Sequence, residues 1–350
     1  MNVIVQPGDG IELLLSGIKS AKKSIEIVIF RIDQGKLEVA LEEAVTRGVS
    51  VQALIAYTNR EGERRLRKLE LRLLAAGVTV SRTADDLVRY HDKFMIIDRS
   101  ALYLMAFNLT HADIDRSRSF GVVTKDRRFV QEAVKLFEAD AARQPYTAGL
   151  DNFIVSPVNA RDQLVDFLSG ARKQLLIYDN QLADMQMIRL LQSRAKAGVE
   201  IKIIGRVGKR GVGLDARKLQ GMRLHTRTII RDGIQAFIGS QSLRKQELDA
   251  RREVGIIFRD SKAVKRLLAT FEVDWAASEL ARERPEKDGE LTSPAIFIKR
   301  VVKEAVNEVV AEMKTEVEEI VSETEEVKEA VKEAVKEAIK DAVQKTDSDE

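Results

Sequence analysis

The chain has 350 residues, 44% of them hydrophobic and 32% charged, which is normal for a globular protein with a highly charged surface. It contains no cysteine, and this excludes disulfides, thiolate zinc sites and a cysteine nucleophile. The net charge of +3 is unevenly distributed: residues 301–350 hold 7 Lys and 16 Asp plus Glu, so residues 1–300 carry +12. A basic body favours polyanionic partners such as nucleic acid, anionic lipid head groups or phosphorylated small molecules.

The start of the chain, MNVIVQPGDG, lacks the basic and long apolar regions of a secretory signal. No apolar run approaches the ~20 residues that a membrane-spanning helix needs. We therefore expect a cytoplasmic protein without a transmembrane segment, and peripheral contact with a membrane is the alternative.

Helical and strand patterns alternate along the first 150 residues. The predicted elements, in chain order, are a helix near 10–22, strand 24–31, helix 35–47, strand 49–56, a helix near 60–76, strand 78–83, short strands near 93–98, 101–106 and 119–124, and helix 127–142. Gly48 follows the second helix as a natural C-terminal stop. This alternation predicts an α/β sheet with helices on both faces.

The sequence repeats itself within residues 1–290. The matching stretches are SAKKSIEIVIF (20–30) with GARKQLLIYDN (170–180), TRGVSVQALI (46–55) with KAGVEIKIIG (196–205), FGVVTKD (120–126) with VGIIFRD (254–260), and LFEAD (136–140) with TFEVD (270–274). The first two pairs are offset by 150 residues and the last two by 134, because the first half holds an extra helical stretch around REGERRLRKLELRLLAAG. The repeat predicts two similar αβα lobes with mixed sheets, 1–150 and 151–290, related by an approximate two-fold axis.

Residues 291–350 form a third predicted segment. Apolar residues recur there at mostly three- and four-residue steps, as in VKEAVKEAVKEAIKDAV, and no aromatic residue follows Phe297. The pattern predicts an acidic amphipathic helix. It is either a solvated tail or a coiled-coil-like helix for a partner or for self-association. Its acidic polar face argues against a lipid-binding helix.

The 134-residue offset aligns unusual polar residues in the two halves. It pairs His91 with His225, Lys93 with Arg227, and Asp98 with Asp232, in a chain that has only three histidines. Two imidazoles with two cations suit a phosphodiester: one histidine attacks phosphorus, the other protonates the leaving oxygen, and the cations hold the non-bridging oxygens. This chemistry needs no metal or other cofactor.

The segment His91-x-Lys93-x4-Asp98 resembles the HxKxxxxD signature of the phospholipase D superfamily. The family usually has Gly-Ser-x-Asn after this motif, and the two halves here read MAFN (105–108) and GSQS (239–242). The resemblance covers about residues 1–280. It implies one active site between two α/β lobes and a phosphohistidine intermediate, with His91 as nucleophile and His225 as general acid, or the reverse.

The resemblance also implies roles for further residues. The family places an acidic or amide residue after Gly-Ser-x-Asn, and Glu253 stands there, which implies that it orients His91. Its repeat mate Ser119 is a weaker partner for His225. The remaining implied residues are Asn108, Ser240 and Ser242 as substrate-binding groups, and Asp98, Asp232 and Gly239 as structural ones.

Two further features are interpreted without the resemblance. GRVGKRGVG (205–213) fails the spacing of a P-loop. We interpret it as a basic loop at the carboxyl end of a strand, where Lys209 and Arg210 could contact an anionic substrate. His111 is interpreted as a surface loop residue, with substrate contact as the alternative.

These observations predict a phospholipase D-like phosphodiesterase or phosphatidyltransferase, with phospholipid as the favoured substrate. One alternative is a metal-independent endonuclease, which the basic body favours. The other is a catalytically weak protein that binds phosphate, lipid or nucleic acid, because Arg227, Met105-Ala106 and Ser242 depart from the family pattern.

Overall fold

The computed structural model describes residues 1–57, 63–208 and 211–280, together with Glu333. The elements of lobe 1, residues 1–150, are β1 (Asn2–Gln6), α1 (Glu12–Ser20), β2 (Ser24–Ile29), α2 (Gly35–Thr46), β3 (Ser50–Ile55), α3 (Glu63–Ala75), β4 (Thr79–Arg82), β5 (Arg89–Tyr90), β6 (Phe94–Ile97), β7 (Ala101–Met105), α4 (His111–Asp115), β8 (Ser117–Thr124) and α5 (Arg127–Ala141). The elements of lobe 2 are β9 (Phe153–Ser156), α6 (Ala160–Ser169), β10 (Gln174–Leu182), α7 (Met185–Lys196), β11 (Glu200–Val207), β12 (Asp215–Lys218), β13 (Arg223–Leu224), β14 (Arg227–Arg231), β15 (Gln235–Gly239), α8 (Lys245–Asp249), β16 (Arg251–Phe258), α9 (Ser261–Ala276) and β17 (Glu279–Leu280). The predicted α/β architecture is confirmed.

The chain divides into two compact units, Met1–Arg282 and Glu283–Glu350. Lobe 1 and residues 151–282 of the predicted lobe 2 belong to the first unit, and the boundary between the lobes at residue 150 stays a prediction. The predicted acidic helix 291–350 lies outside the described residues except for Glu333, so it stays a prediction. No helix in the described part of the chain is long and apolar enough to span a membrane.

The two lobes are built on mixed sheets with the same strand order. Lobe 1 has the order β1-β8-β7-β6-β2-β3-β4, and lobe 2 has β9-β16-β15-β14-β10-β11-β12 with β17 at the edge. Strands β2, β3 and β4 are parallel, as are β10, β11 and β12, and their other neighbours are antiparallel. The equivalence of the two sheets confirms the internal duplication.

Helix α3 accounts for the extra stretch in the first half. It joins β3 to β4, whereas the equivalent strands of lobe 2, β11 and β12, are joined by residues 208–214 alone. Leu66, Leu69 and Leu73 recur at helical spacing and are buried, while Leu71 is 61% exposed. The insertion is therefore an amphipathic helix packed on the outside of lobe 1.

The central strands are buried on both faces. Every residue of β6, β7 and β8 is buried. In β6 and β7 this explains why the strands are continuously apolar rather than alternating. Strand β8 also buries polar side chains, among them Arg118. One face of the lobe 1 sheet packs on α1 and α2, and the other belongs to a core shared with lobe 2. In that shared core the ring of Tyr178 lies 5.2 Å from Phe120 and 5.0 Å from Phe271 between centroids.

Each lobe contributes a short strand to the sheet of the other. Strand β5 of lobe 1 pairs with β16, and β13 of lobe 2 pairs with β8, both in parallel. The exchange continues into both histidines: the backbone N–H of His91 donates to Arg252 O at 2.8 Å, and that of His225 to Arg118 O at 3.0 Å. The repeat thus brings the two histidines to equivalent positions where the lobes meet.

Two buried ion pairs join the lobes beside these strands. Arg118 donates two hydrogen bonds to Asp274, at 2.7 and 2.9 Å, and Arg252 donates one to Asp140 at 3.0 Å. The pairs are related by the 134-residue offset, and each crosses from one lobe to the other. The repeated LFEAD and TFEVD stretches supply the two carboxylates.

Asp98 and Asp232 follow β6 and β14 in left-handed backbone conformations, with φ of 51° and 55°. The Asp98 carboxylate accepts hydrogen bonds from three backbone N–H groups, those of residues 22–24. Asp232 does the same for residues 172–174. Each carboxylate thereby holds the start of the neighbouring central strand.

Candidate active site

His91 and Lys93 lie immediately before β6, so Lys93 falls one residue outside the strand predicted near 93–98. His225 likewise precedes β14, and Arg227 is the first residue of that strand. His91, Lys93 and Arg227 are more than nine-tenths buried, and the side chain of His225 is 12% exposed. The strand exchange encloses these side chains between the lobes. The backbone at these positions is fixed by the apolar strands that follow.

Glu253 contacts His91 from the opposite lobe. The Nδ1 atom of His91 lies 2.8 Å from Oε2 and 3.1 Å from Oε1 of Glu253, and the ring of Phe30 packs edge-on against the imidazole at 4.5 Å. Burial, helped by the charges of Lys93 and Arg227, lowers the pKa of His91 well below its usual value. The imidazole is therefore neutral at neutral pH, with Nδ1 engaged by the carboxylate and Nε2 available for chemistry.

Asp113 contacts His225 from lobe 1. Its Oδ2 lies 2.7 Å from His225 Nδ1, a close contact whose geometry is not that of a straight hydrogen bond. Burial lowers the pKa of His225 to about 4, and the contact with Asp113 opposes this. Ser119, considered from the sequence as the partner of His225, donates instead to the backbone carbonyl of His225 at 2.9 Å.

Lys93 and Arg227 supply positive charge close enough to both histidines to lower their pKa values. The Lys93 ammonium donates to the carbonyl oxygen of His91, and burial lowers its pKa to about 7. Arg227 Nε donates to Ser242 Oγ at 2.9 Å, and its Nη2 lies 3.7 Å from Glu247 Oε2. Arg227 Nη1 is buried and has no hydrogen-bond partner among the described residues, so it can still bind an anion.

The residues expected to bind substrate have different surroundings. Asn108 Nδ2 donates to Asp113 at 2.8 Å, and its Oδ1 is buried without a hydrogen-bond partner in the described ranges. Ser240 is fully buried, and its hydroxyl accepts from the backbone N–H of Val254 at 3.1 Å, within the β15–β16 ladder. The Ser240 side chain also hydrogen-bonds Glu253, and this contact opposes the rise that burial causes in the pKa of that carboxyl. Asn108, Ser242 and Ser240 of the predicted set therefore all contact other side chains of the site.

Gly239 stands where two strands approach too closely for a side chain. A Cβ there would lie 2.6 Å from Phe237 Cζ and 2.9 Å from Gly255 Cα. This agrees with a structural rather than a substrate-binding position. Lys209 and Arg210 lie outside the described residues, and their proposed substrate contact stays a prediction.

Asp113 and Glu247 are site residues that the sequence analysis missed. They are repeat mates, each five residues after the last position of the MAFN or GSQS stretch, and each accepts a 2.8 Å hydrogen bond from that position's backbone N–H. The repeat itself carried this signal, because an acidic residue stands at the same place in both halves. The sequence analysis considered the nearby His111 instead. Its side chain is 64% exposed and contacts Asp115 at 2.8 Å.

Within the described ranges, no group of three or more His, Asp or Glu side chains is arranged to hold a metal ion. What the site does present is two imidazoles, each with a carboxylate from the other lobe at Nδ1, and two cations. That arrangement fits acid–base and nucleophilic chemistry on an anionic phosphorus centre.

A family model described as "Cardiolipin synthase, PLD-like domain" matches residues 14–141 and 164–275. The chain belongs to this family. The two matched stretches fall in the two lobes, as the duplication requires. Membership supports phosphoryl-transfer chemistry in general, without choosing a substrate. No curated protein sequence is detectably similar to the chain.

Two of the solved structures that match are similar in fold over most of this chain. Polyphosphate kinase from Porphyromonas gingivalis gives a TM-score of 0.66 at 18% identity, over 87% of this chain and 53% of that one, so this chain spans about half of that enzyme. Phosphatidylserine synthase from Haemophilus influenzae Rd KW20 gives 0.59 at 11% identity, over 85% and 92%. The phospholipase D family member Nuc from Salmonella typhimurium gives 0.37 at 22%, over 42% and 97%. At these identities the likeness concerns the fold alone.

Proposed function

We propose that this protein is a phospholipase D-like phosphodiesterase or phosphatidyltransferase that works through a phosphohistidine on His91, with His225 as general acid and base. The observation that carries the proposal is the pairing of each histidine with a carboxylate of the opposite lobe, Glu253 for His91 and Asp113 for His225. A carboxylate at Nδ1 fixes the tautomer that exposes Nε2.

In the first step Nε2 of His91 attacks phosphorus. The bond from phosphorus to the leaving oxygen breaks, and that oxygen takes a proton from His225. The charge of the bound phosphodiester favours the imidazolium of His225, whose pKa is otherwise lowered to about 4 by burial. In the second step water or an alcohol gives its proton to His225 and attacks phosphorus, and the P–N bond breaks.

Lys93 and Arg227 act on the non-bridging oxygens in both steps. Burial excludes water that would compete for these cations, so their electrostatic interaction with the charge of the transition state is strengthened. The guanidinium of Arg227 is held by Ser242 on one side while Nη1 is left for the phosphate. The replacement of the second motif lysine by arginine therefore keeps a cation at this place.

Phospholipid is the substrate class we favour. The description of the matching family model names a lipid enzyme, cardiolipin synthase. The phosphatidylserine synthase of similar fold is matched over 92% of its length. The basic charge of residues 1–300 suits an anionic lipid surface, and it suits nucleic acid as well. The substrate test must therefore include DNA.

The proposal is tested by turnover of bis-p-nitrophenyl phosphate in excess chelator, with wild type beside His91→Ala and His225→Ala. We expect chelator-resistant turnover that His91→Ala abolishes and His225→Ala strongly reduces. Turnover that survives both changes contradicts the mechanism.

The substrate is then sought with phosphatidylglycerol vesicles and plasmid DNA under the same conditions. Release of the lipid head group or its transfer to an alcohol, with the plasmid intact, supports the lipid assignment. Degradation of the plasmid, with binding that weakens steeply as salt rises, indicates the endonuclease instead. Binding to either without turnover of any of the three substrates indicates the catalytically weak binding protein.

A further inference from the structure

The two lobes are not equivalent at the position that supplies a carboxylate to the opposite histidine. Glu253 and Ser119 are repeat mates, and each directly follows the arginine whose carbonyl accepts the backbone N–H of the facing histidine. Glu253 is long enough to reach the imidazole of His91. The Ser119 side chain reaches only the backbone carbonyl of His225, so this position leaves the second imidazole without a carboxylate.

Asp113 supplies a carboxylate to the His225 imidazole from a different secondary-structure element. It lies on the short helix α4, is 1% exposed, and brings Oδ2 to 2.7 Å from His225 Nδ1. The backbone N–H and the side-chain amide of Asn108 each donate to the same Oδ2 at 2.8 Å, and Arg223 binds Oδ1. These contacts fix the carboxylate before any substrate arrives.

The repeat mate of Asp113 contacts cations rather than a histidine. Glu247 also accepts from a backbone N–H, that of Ser242, at 2.8 Å. Its carboxylate then lies 3.7 Å from Arg227 and 3.3 Å from Arg251. The carboxylates at this repeated position therefore have different partners in the two halves. Asp113 contacts an imidazole, and its half has Ser119 rather than a glutamate at the position equivalent to Glu253.

Electrostatics agree with this placement. Burial alone would raise the pKa of Asp113, but the contact with His225, the Asn108 N–H and the charge of Arg223 lower it to about 2. Asp113 thus stays ionised across the working pH range. A fixed negative charge at Nδ1 holds the proton there and stabilises the imidazolium that forms during the reaction.

We propose that Asp113 is the positioning residue of His225 and substitutes for the missing carboxylate at Ser119. This inference rests on the proposed function, since it gives His225 the same kind of support that Glu253 gives His91. Asp113 acts through His225 and does not itself touch the substrate.

The kinetic test compares Asp113→Asn with Asp115→Asn, an exposed carboxylate on the same helix. The amide keeps the acceptor for the Asn108 N–H and removes the charge. We expect kcat to fall about 10²-fold or more in Asp113→Asn, with KM changed less than roughly threefold, and no change in Asp115→Asn. Adding Ser119→Glu to Asp113→Asn should restore part of kcat, because it places a glutamate at the repeat position of Glu253. A kcat for Asp113→Asn within roughly threefold of wild type overturns the proposal.

A second measurement does not depend on turnover or on the stability of the variants. Two-bond ¹H–¹⁵N spectra of the wild-type protein report which ring nitrogen of His225 carries the proton, once the three histidines are assigned. The proposal predicts the Nδ1–H tautomer, and the Nε2–H tautomer overturns it. Should the protein cleave none of the phosphodiesters while His225 is found as Nδ1–H, the proposed function fails and the Asp113–His225 pairing stands.

Discussion

Arg118 and Arg252 hold equivalent positions where the lobes meet, yet the charges around them differ. Arg118 faces one carboxylate, Asp274, which it binds in a two-bond fork. The hydroxyl of Tyr178 donates to the same carboxylate at 2.7 Å. Burial, helped by that carboxylate, raises the pKa of Tyr178, so the tyrosine stays a neutral donor. On this side one positive and one negative charge are matched and fully hydrogen-bonded.

Arg252 faces two carboxylates instead of one. It binds Asp140 at 3.0 Å and also stabilises the charge of Asp92, whose two side-chain oxygens have no hydrogen-bond partner among the described residues. Burial raises the pKa of Asp92 to about 6 and that of Asp140 to about 7, against the opposing charge of Arg252. The repeat mate of Asp92 is Thr226, which is neutral.

The difference shows that the duplicated lobes share a framework but not its electrostatics. One surplus carboxylate lies directly between His91 and Lys93 in sequence. Near neutral pH and below, a proton bound by Asp92 or Asp140 neutralises the surplus negative charge. At alkaline pH both carboxylates are ionised and the charge stays uncompensated. The side of the lobe junction that holds His91, the proposed nucleophile, is therefore sensitive to pH through Asp92, which has no carboxylate counterpart on the side around Arg118. Four sets of substitutions test this comparison, from the largest expected effect to the smallest.

The largest effect is expected on catalysis from Glu253→Gln. Loss of the charge at Nδ1 of His91 should lower kcat about 10²–10⁴-fold, because the tautomer of the nucleophile is no longer fixed. Steady-state kinetics on bis-p-nitrophenyl phosphate measure this. The matched control is Glu132→Gln, a buried carboxylate that binds Tyr146 outside the site and should leave kcat unchanged. Equal kcat for wild type and Glu253→Gln contradicts the assignment.

Next comes the replacement of the two arginines. Arg118→Leu and Arg252→Leu should each lower the free energy of unfolding by about 3–5 kcal/mol, since each leaves a buried carboxylate unpaired. At pH 8 Arg252→Leu should be the more damaging, because it strands two carboxylates. Its cost should shrink at pH 5, where Asp92 and Asp140 take up protons, more than that of Arg118→Leu. Urea unfolding at both pH values measures the difference, and parallel behaviour of the two variants refutes it.

A smaller effect with the opposite sign is expected from Asp92→Asn. The folded-state pKa of Asp92 is raised, so its contribution to stability is lost as pH rises from about 4 to about 6 and stays lost above that range. At pH 8 the amide should raise the free energy of unfolding by roughly 1–3 kcal/mol, with little gain at pH 4. The converse change, Thr226→Asp, should destabilise the protein at pH 8. A destabilised Asp92→Asn at pH 8 means that the carboxylate has a partner in solution.

The smallest effect tests what the lobes have kept in common. Asp98→Asn and Asp232→Asn each weaken hydrogen bonds to three backbone N–H groups and should each cost roughly 1–2 kcal/mol in the free energy of unfolding. These backbone N–H groups outweigh the effect of burial and lower both pKa values, so the stabilisation is present above pH 4 and is lost as pH falls through the folded-state value. The two costs should agree closely, and a clear inequality breaks the symmetry claimed for this part of the fold.

Much of the fold was predictable because the duplication leaves a record in the sequence. The offsets of 150 and 134 located the equivalent strands and the insertion that became α3, and they paired His91 with His225. The exchange of β5 and β13 was not predictable, since two-residue strands such as Arg89–Tyr90 carry no periodic signal and depend on the opposite lobe for their partner. The contact between Asp113 and His225 was missed for another reason: the partner of His225 was sought at Ser119, the repeat mate of Glu253, and not at the acidic position that Asp113 and Glu247 share.

Burial and pairing also escaped the sequence. Nothing in the stretch YHDKFMIID marks Asp92 as enclosed, because a carboxylate between two polar residues reads as solvated. Ser119 was judged from its repeat mate, and the comparison was correct for the backbone but not for the reach of the side chain. Side-chain length and the identity of the opposing surface decide such contacts, and a single sequence reveals neither.

The most direct test of the paired-histidine mechanism is to trap the covalent intermediate. In the His225→Ala variant, His91 should still attack the phosphorus of bis-p-nitrophenyl phosphate, because the p-nitrophenolate leaving group needs no proton. The adduct on His91 should then hydrolyse slowly, because the variant lacks the general base. Intact-protein mass spectrometry after an alkaline quench should then show a p-nitrophenyl phosphoryl adduct on His91 in His225→Ala and none in His91→Ala. An adduct on His225 in His91→Ala, or sustained turnover with no adduct on either histidine, contradicts the mechanism.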